Sequence, residues 1–227
     1  MSAFAQFATA VSFENGIAAM DWLGIVAFTI TGALAASRNQ MDVVGFVLLG
    51  TVTGIGGGTL RDLLLNIHPI LWIEQPAYLA VCIGISVALF FTAHLAHSRY
   101  RLILWFDAIG LALFATVGAE RAIGVGAAPI VAVVMGVITA SFGGIIRDVL
   151  SQQRSIIFAP EIYVTAAMAA AIAYTALHML EAPRELAVIS GIFTGFALRA
   201  GALRWGWTLP RYHPRPPRPS WGDKTGV

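Results

Sequence analysis

"GIGGGTLRD", residues 54–62, lies inside a hydrophobic run that extends from Val43 to Leu65. Three consecutive glycines weaken a helix, because each interior Gly costs roughly 0.5–1 kcal/mol relative to Ala. Arg61 and Asp62 then place two charges where the chain otherwise avoids them. The arrangement returns at "SFGGIIRD", residues 141–148. A constant offset of 86 takes Arg61 to Arg147, Asp62 to Asp148, Gly57 to Gly143, Gly58 to Gly144, Gly50 to Gly136 and Thr53 to Thr139. It also takes Asp21, Gly24, Phe28 and Gly32 to Asp107, Gly110, Phe114 and Gly118. Aligned without a gap, 21–66 and 107–152 share 14 identical positions out of 46. Apolar composition inflates chance matches, but it does not pair Arg-Asp and Asp-x-x-Gly at one offset. The chain carries an internal duplication.

The flanks decide what kind of helix holds these residues. Of 227 residues, 58% are hydrophobic and 11% charged, and the mean hydropathy is +0.77. A soluble domain carries about 25% charged residues, so the composition is that of a membrane protein. A spanning helix needs about 20 largely apolar residues. Seven segments qualify: about 17–36, 43–65, 77–97, 103–121, 129–150, 161–180 and 186–203. The expected fold is therefore an all-α membrane protein with seven transmembrane helices in one domain, 1–207. Repeat one covers about 17–97, repeat two about 103–180, and the seventh helix stands outside the duplication. Each copy holds three helices, an odd number, so the second copy lies upside down relative to the first. Inverted repeats place their functional site near the midplane, often at interrupted helices in matching positions. The matching interruptions are Gly56, Gly57 and Gly58 in the second span and Gly143 and Gly144 in the fifth.

Alternate connectors fall on opposite sides of the membrane. Arg38, Arg99, Arg101, Arg154, Arg199, Arg204 and the basic residues of the tail fall on one side, and Arg121 and Arg184 on the other. The positive-inside rule then puts the C-terminus in the cytoplasm and the N-terminus outside. Trp72, Trp105, Trp205 and Trp207 fall near span ends, as an interfacial belt requires. Residues 208–227 are basic and Pro-rich and read as a disordered tail; "PRPPRP" within it reads as solvated sequence rather than as a polyproline ligand. No cleaved signal peptide is read in the first sixteen residues. Cys82 has no partner for an intrachain disulfide.

Gly50, Thr53, Gly54, Gly57, Gly58 and Arg61 recur at helical spacing and form one small-residue face. Gly136, Thr139, Ala140, Gly143, Gly144 and Arg147 repeat it. Such a face allows close helix packing. The glycine clusters also suggest a kink or break, which is tolerated at membrane depth only where it is buried or lines a wet cavity. Thr53, Thr139, Ser141 and Phe142 flank the glycines; Phe142 stands where the first copy has Gly56, so the two sites differ. Arg or Asp at the bilayer centre costs about 2.5–3.5 kcal/mol on insertion scales, so Arg61, Asp62, Arg147 and Asp148 need partners. Neighbours on one helix point in different directions, and the expected pairs cross the repeat axis: Arg61 with Asp148, and Arg147 with Asp62. Asp21 and Asp107 are expected to N-cap the first and fourth spans. Gly191 and Gly195 form a G-x-x-x-G packing face in the seventh. His94 and His97 lack companion ligands for a metal site.

"GIGGGT" is not a phosphate or dinucleotide loop, since no strand precedes it and no Lys-Ser/Thr follows. Ser141 has no companion His, and nothing forms a nucleophile–base set, so no enzyme activity, cofactor or nucleic-acid partner is expected. The paired "GGGTLRD" and "FGGIIRD" segments, the two three-helix repeats and the seventh helix resemble the prokaryotic trimeric intracellular cation (TRIC) channels over about residues 18–207. The resemblance implies a homotrimer in the bacterial inner membrane. It implies one path per protomer, between the second and fifth helices, for monovalent cations, K⁺ foremost. It places the pore at the glycines, with the Arg and Asp side chains beside it. The same prokaryotic domain has also been labelled a glycine transporter, which is the alternative reading. The chain has no "TVGYG"-type filter.

Overall fold

The computed structural model describes residues 3–95, 98–152 and 162–210. Those residues are almost wholly helical. The helices are α1 (Ala3–Arg38), α2 (Val43–Leu64), the short α3 (Leu71–Glu74), α4 (Ala77–Thr92), α5 (Arg99–Gly124), α6 (Pro129–Leu150), α7 (Val164–Met179) and α8 (Arg184–Trp205). Six of them are long and apolar enough to cross a membrane, and α7 is a shorter apolar helix. The first helix reaches back to Ala3, well before the expected start near residue 17. Residues 208–210 are described; the remainder of the tail, Arg154 and His97 lie outside the described residues.

Local chemistry sets the helix ends. Asp42 caps α2 by accepting from the Gly45 N–H at 2.8 Å, which satisfies one of the orphan amides of the first turn. Pro129 occupies the first turn of α6, where its missing N–H costs nothing. Gly206 closes α8 with φ +69°, a left-handed cap that a side chain would disfavour.

The interior is built from helices that pack through small residues. Gly136 faces the Ala115 carbonyl and the Ala171 methyl, and a Cβ built on it would lie 2.5 and 2.8 Å from them. Gly191 and Gly195 of α8 similarly abut Thr116, Ala170 and Ala112, so the expected G-x-x-x-G face is used within the chain. Alanine supplies much of the buried surface elsewhere, including Ala166, Ala167, Ala170 and Ala171 on α7. In a lipid solvent the drive to bring helices together comes from close van der Waals contact rather than water exclusion, and small side chains permit it.

Residues related by the offset of 86 meet reciprocally at the centre. Phe28 packs over Gly110 and Phe114 packs over Gly24, while the two rings lie 5.2 Å apart. A Cβ on either glycine would fall within 2.7 Å of the opposing ring. This exchange brings α1 and α5 together through equivalent residues and sets up the second pair of helices behind them.

Candidate functional site: two buried Asp-Arg-Asp clusters

Helices α2 and α6 carry the motifs, and both run unbroken through their glycines. The break expected at Gly56–Gly58 and Gly143–Gly144 is therefore corrected. The glycines serve proximity instead. Gly57 meets the backbone carbonyl of Thr139, and Gly143 meets that of Thr53, where a Cβ would lie 2.5 Å from the oxygen. These contacts are again exchanged between equivalent positions. Thr53 Oγ1 and Thr139 Oγ1 turn back to the carbonyls of Leu49 and Met135, each at 2.6 Å. Such back-bonding satisfies a buried hydroxyl inside its own helix. Ser141 does the same with Val137 at 2.7 Å.

Not every glycine packs in this way. A Cβ on Gly56 would meet only the end of the Ile146 side chain, at 3.2 Å, and one on Gly58 only Arg61 Nη2, at 3.8 Å. A cavity of about 10 Å³ lies beside Gly58, among Asp21, Thr59, Trp72 and Phe114. That is close to the minimum for one water. In the second copy Gly144 faces the Tyr163 hydroxyl, and a Cβ there would lie 2.9 Å from it. Phe142 is half-buried.

The charges form two clusters, one in each copy. Arg61 Nε donates to Asp62 Oδ1 at 2.8 Å, and Arg61 Nη1 lies 3.4 Å from Asp21 Oδ1. Arg147 Nε donates to Asp148 Oδ1 at 2.9 Å and its Nη1 to Asp107 Oδ1 at 2.8 Å. The expected pairs across the repeat axis are thus replaced by pairs within each copy. The reason is geometric: Arg is long enough to fold back along its own helix toward the next residue, and its fork serves two carboxylates at once. Asp21 and Asp107 are not N-caps. Both lie well inside α1 and α5 and are 1% and 0% exposed. Arg61 and Arg147 are sealed to the same degree, so each guanidinium depends on its two carboxylates.

The clusters differ in their outer contacts. Asp21 Oδ2 also accepts from Arg121 Nη2 at 3.0 Å, whereas Asp107 Oδ2, Arg147 Nη2 and the Tyr163 hydroxyl have no hydrogen-bond partner among the described residues. Asp62 Oδ2 accepts from the Leu71 N–H at 3.2 Å and anchors α3. Trp72 Nε1, on α3, donates to Thr59 Oγ1 at 3.0 Å.

Sequence reasoning missed three participants. Arg199, counted with the tail charges, is 0% exposed on α8, with its guanidinium 5.2 Å from the Tyr163 ring centre. Glu120 is buried and pairs with Arg184. Tyr163 fills the space that Gly144 leaves. The position of Arg199 inside an apolar span was the available signal; Tyr163 had none.

Comparison with known proteins follows the same two-copy division. A family model described as "Glycine transporter" matches residues 18–94 and again 104–179. A solved structure of the TRIC trimeric intracellular cation channel orthologue from Rhodobacter sphaeroides is 53% identical. It superposes with a TM-score of 0.82, over 84% of this chain and 98% of that one. The chain belongs to the prokaryotic TRIC family. A second TRIC structure, from work on the structural basis for conductance through TRIC cation channels, is 34% identical with a TM-score of 0.79. It covers 87% of this chain and 97% of its own. The inner membrane protein YadS of Escherichia coli (strain K12), a UPF0126 protein, is 38% identical over 198 residues, 85% of this chain and 94% of YadS. This TRIC-family chain is accordingly a multi-pass membrane protein, with both Asp-Arg-Asp clusters inside its helical core.

Proposed function

We propose that the chain is a passive channel for monovalent cations, K⁺ foremost, with one path through each protomer of a homotrimer in the bacterial inner membrane. Its seven membrane helices form two oppositely oriented three-helix repeats plus α8, with the N-terminus outside and the C-terminus cytoplasmic. The path follows α2 and α6 past Gly56, Gly58 and Gly144, with the Arg-Asp clusters beside it. The observation that carries this reading is the pair of buried Asp-Arg-Asp clusters on matching helices. Buried ionisable groups at membrane depth are costly and mark ion or substrate routes. Likeness to solved cation channels supports the choice of cargo. Gly57 and Gly143 touch the opposing backbone, so passage directly between the two helices at that level requires them to separate.

The family model's description favours one other reading, a glycine transporter working by alternating access. An inverted repeat suits a carrier as well as a channel. Recording from purified protein in a planar bilayer separates them. Discrete unitary currents whose reversal potential follows a K⁺ gradient support the channel. Electrical silence together with saturable glycine uptake into liposomes would establish the carrier instead.

A further inference from the structure

On the outer face of α5 and α8 a polar hollow adjoins an apolar groove. The hollow, about 630 Å³, is lined by Tyr100, Arg101, Trp105 and Arg204 among others. The groove, about 430 Å³, is lined by Phe106, Ile109, Ile192 and Phe196 with α1 side chains on its far side. They adjoin where the Trp105 and Phe196 rings lie 6.4 Å apart. Arg101 and Arg204 are exposed, and no acidic side chain pairs with either among the described residues. Among the described residues the hollow is therefore cationic and uncompensated, it is flanked by the aromatic residues typical of the membrane interface, and it opens onto a hydrophobic channel. From Phe106 to Leu113 that channel runs about 10 Å along α5 at 1.5 Å per residue, within the roughly 15 Å depth of one leaflet of a ~30 Å hydrocarbon core.

We propose that this groove seats one anionic phospholipid, its phosphodiester held by Arg101 and Arg204 and an acyl chain laid along Phe106, Ile109, Ile192 and Phe196. Guanidinium forks match phosphate geometry, and basic pockets between membrane helices bind acidic headgroups. A second copy of the chain laid over the same surface would bury two unpaired guanidiniums, which is unfavourable. The two guanidiniums thus favour an acidic headgroup over a second copy at the hollow.

Trp105 reports on the occupant. The full chain is reconstituted in phosphatidylcholine vesicles containing either brominated phosphatidylglycerol or brominated phosphatidylcholine at equal mole fraction. Subtracting the fluorescence of Trp105→Phe isolates the Trp105 signal. The expected result is stronger quenching of Trp105 by the phosphatidylglycerol probe. The preference should fall about fivefold for each Arg removed in Arg101→Gln and Arg204→Gln, from about 1 kcal/mol per basic residue, while the other tryptophans show no such change. Equal quenching of wild-type Trp105 by the two probes overturns the proposal. Absence of quenching by either also overturns it and assigns the groove to a second copy of the chain.

Discussion

Gly57 of α2 presses against the backbone carbonyl of Thr139 on α6, and Gly143 of α6 presses in turn against that of Thr53 on α2. A backbone oxygen cannot swing aside as a side-chain tip can, so these two positions admit no Cβ without moving a helix. Gly57→Ala should lower stability by about 1–3 kcal/mol, the usual range for overpacking. Gly56→Ala, facing only the mobile end of Ile146, should be neutral or stabilising by up to about 1 kcal/mol as the chain loses unfolded-state freedom. Thermal unfolding of both variants in detergent checks the contrast, and equal losses in the two would contradict this assignment.

The charge clusters predict where coupling lies. A double-mutant cycle on Arg147 and Asp107 should give a coupling of about 1–3 kcal/mol, as for residues in direct contact. The cycle on Arg61 and Asp148 should give nearly none, and the swap Arg61→Asp with Asp148→Arg should not rescue either single change. Chemical denaturation in detergent provides the energies.

Removing the cation should harm more than removing one carboxylate. Arg147→Gln leaves the buried Asp107 without its cation and takes from Asp148 the guanidinium bonded to it, a loss on the order of 3–5 kcal/mol. Asp107→Asn leaves Arg147 still held by Asp148 and should cost less. Arg121→Gln should cost about 1 kcal/mol or less, because Arg121 is 37% exposed and its pair with Asp21 is partly solvated. The order Arg147 > Asp107 > Arg121 in loss of melting temperature is the measurable outcome.

Gly144 and Tyr163 form a testable couple. Gly144→Ala brings a methyl against the Tyr163 hydroxyl, and Tyr163→Phe removes the obstructing atom. Because that hydroxyl has no hydrogen-bond partner among the described residues, Tyr163→Phe alone should change stability little. The double variant should recover most of the loss caused by Gly144→Ala, as read by detergent melting curves.

Much of this arrangement was legible in the sequence because it is written in spacing. The offset of 86 marks both glycine clusters, both Arg-Asp pairs and the Asp-x-x-Gly positions. Apolar length located the helices. Three things were not legible. Asp21 and Asp107 looked like caps because apolar runs begin beside them, yet α1 starts about five turns and α5 about two turns earlier. The reach of an Arg side chain back onto its own helix neighbour is a rotamer choice, invisible to helical-wheel reasoning. The glycines signalled a weak helix but not why it was weak: close approach of a partner backbone and a bend leave the same residue in the sequence.

Arg121 clamps Asp21, yet the first copy has Ala35 at the position matching Arg121. One half of the chain donates this bond and the other only receives it. Two copies of the second half, paired as α1 and α5 pair here, would carry the clamp twice; two copies of the first half would carry none. The halves are no longer interchangeable. The clamp thus joins the halves unequally, since Asp21 takes a bond from a guanidinium that its own half does not supply.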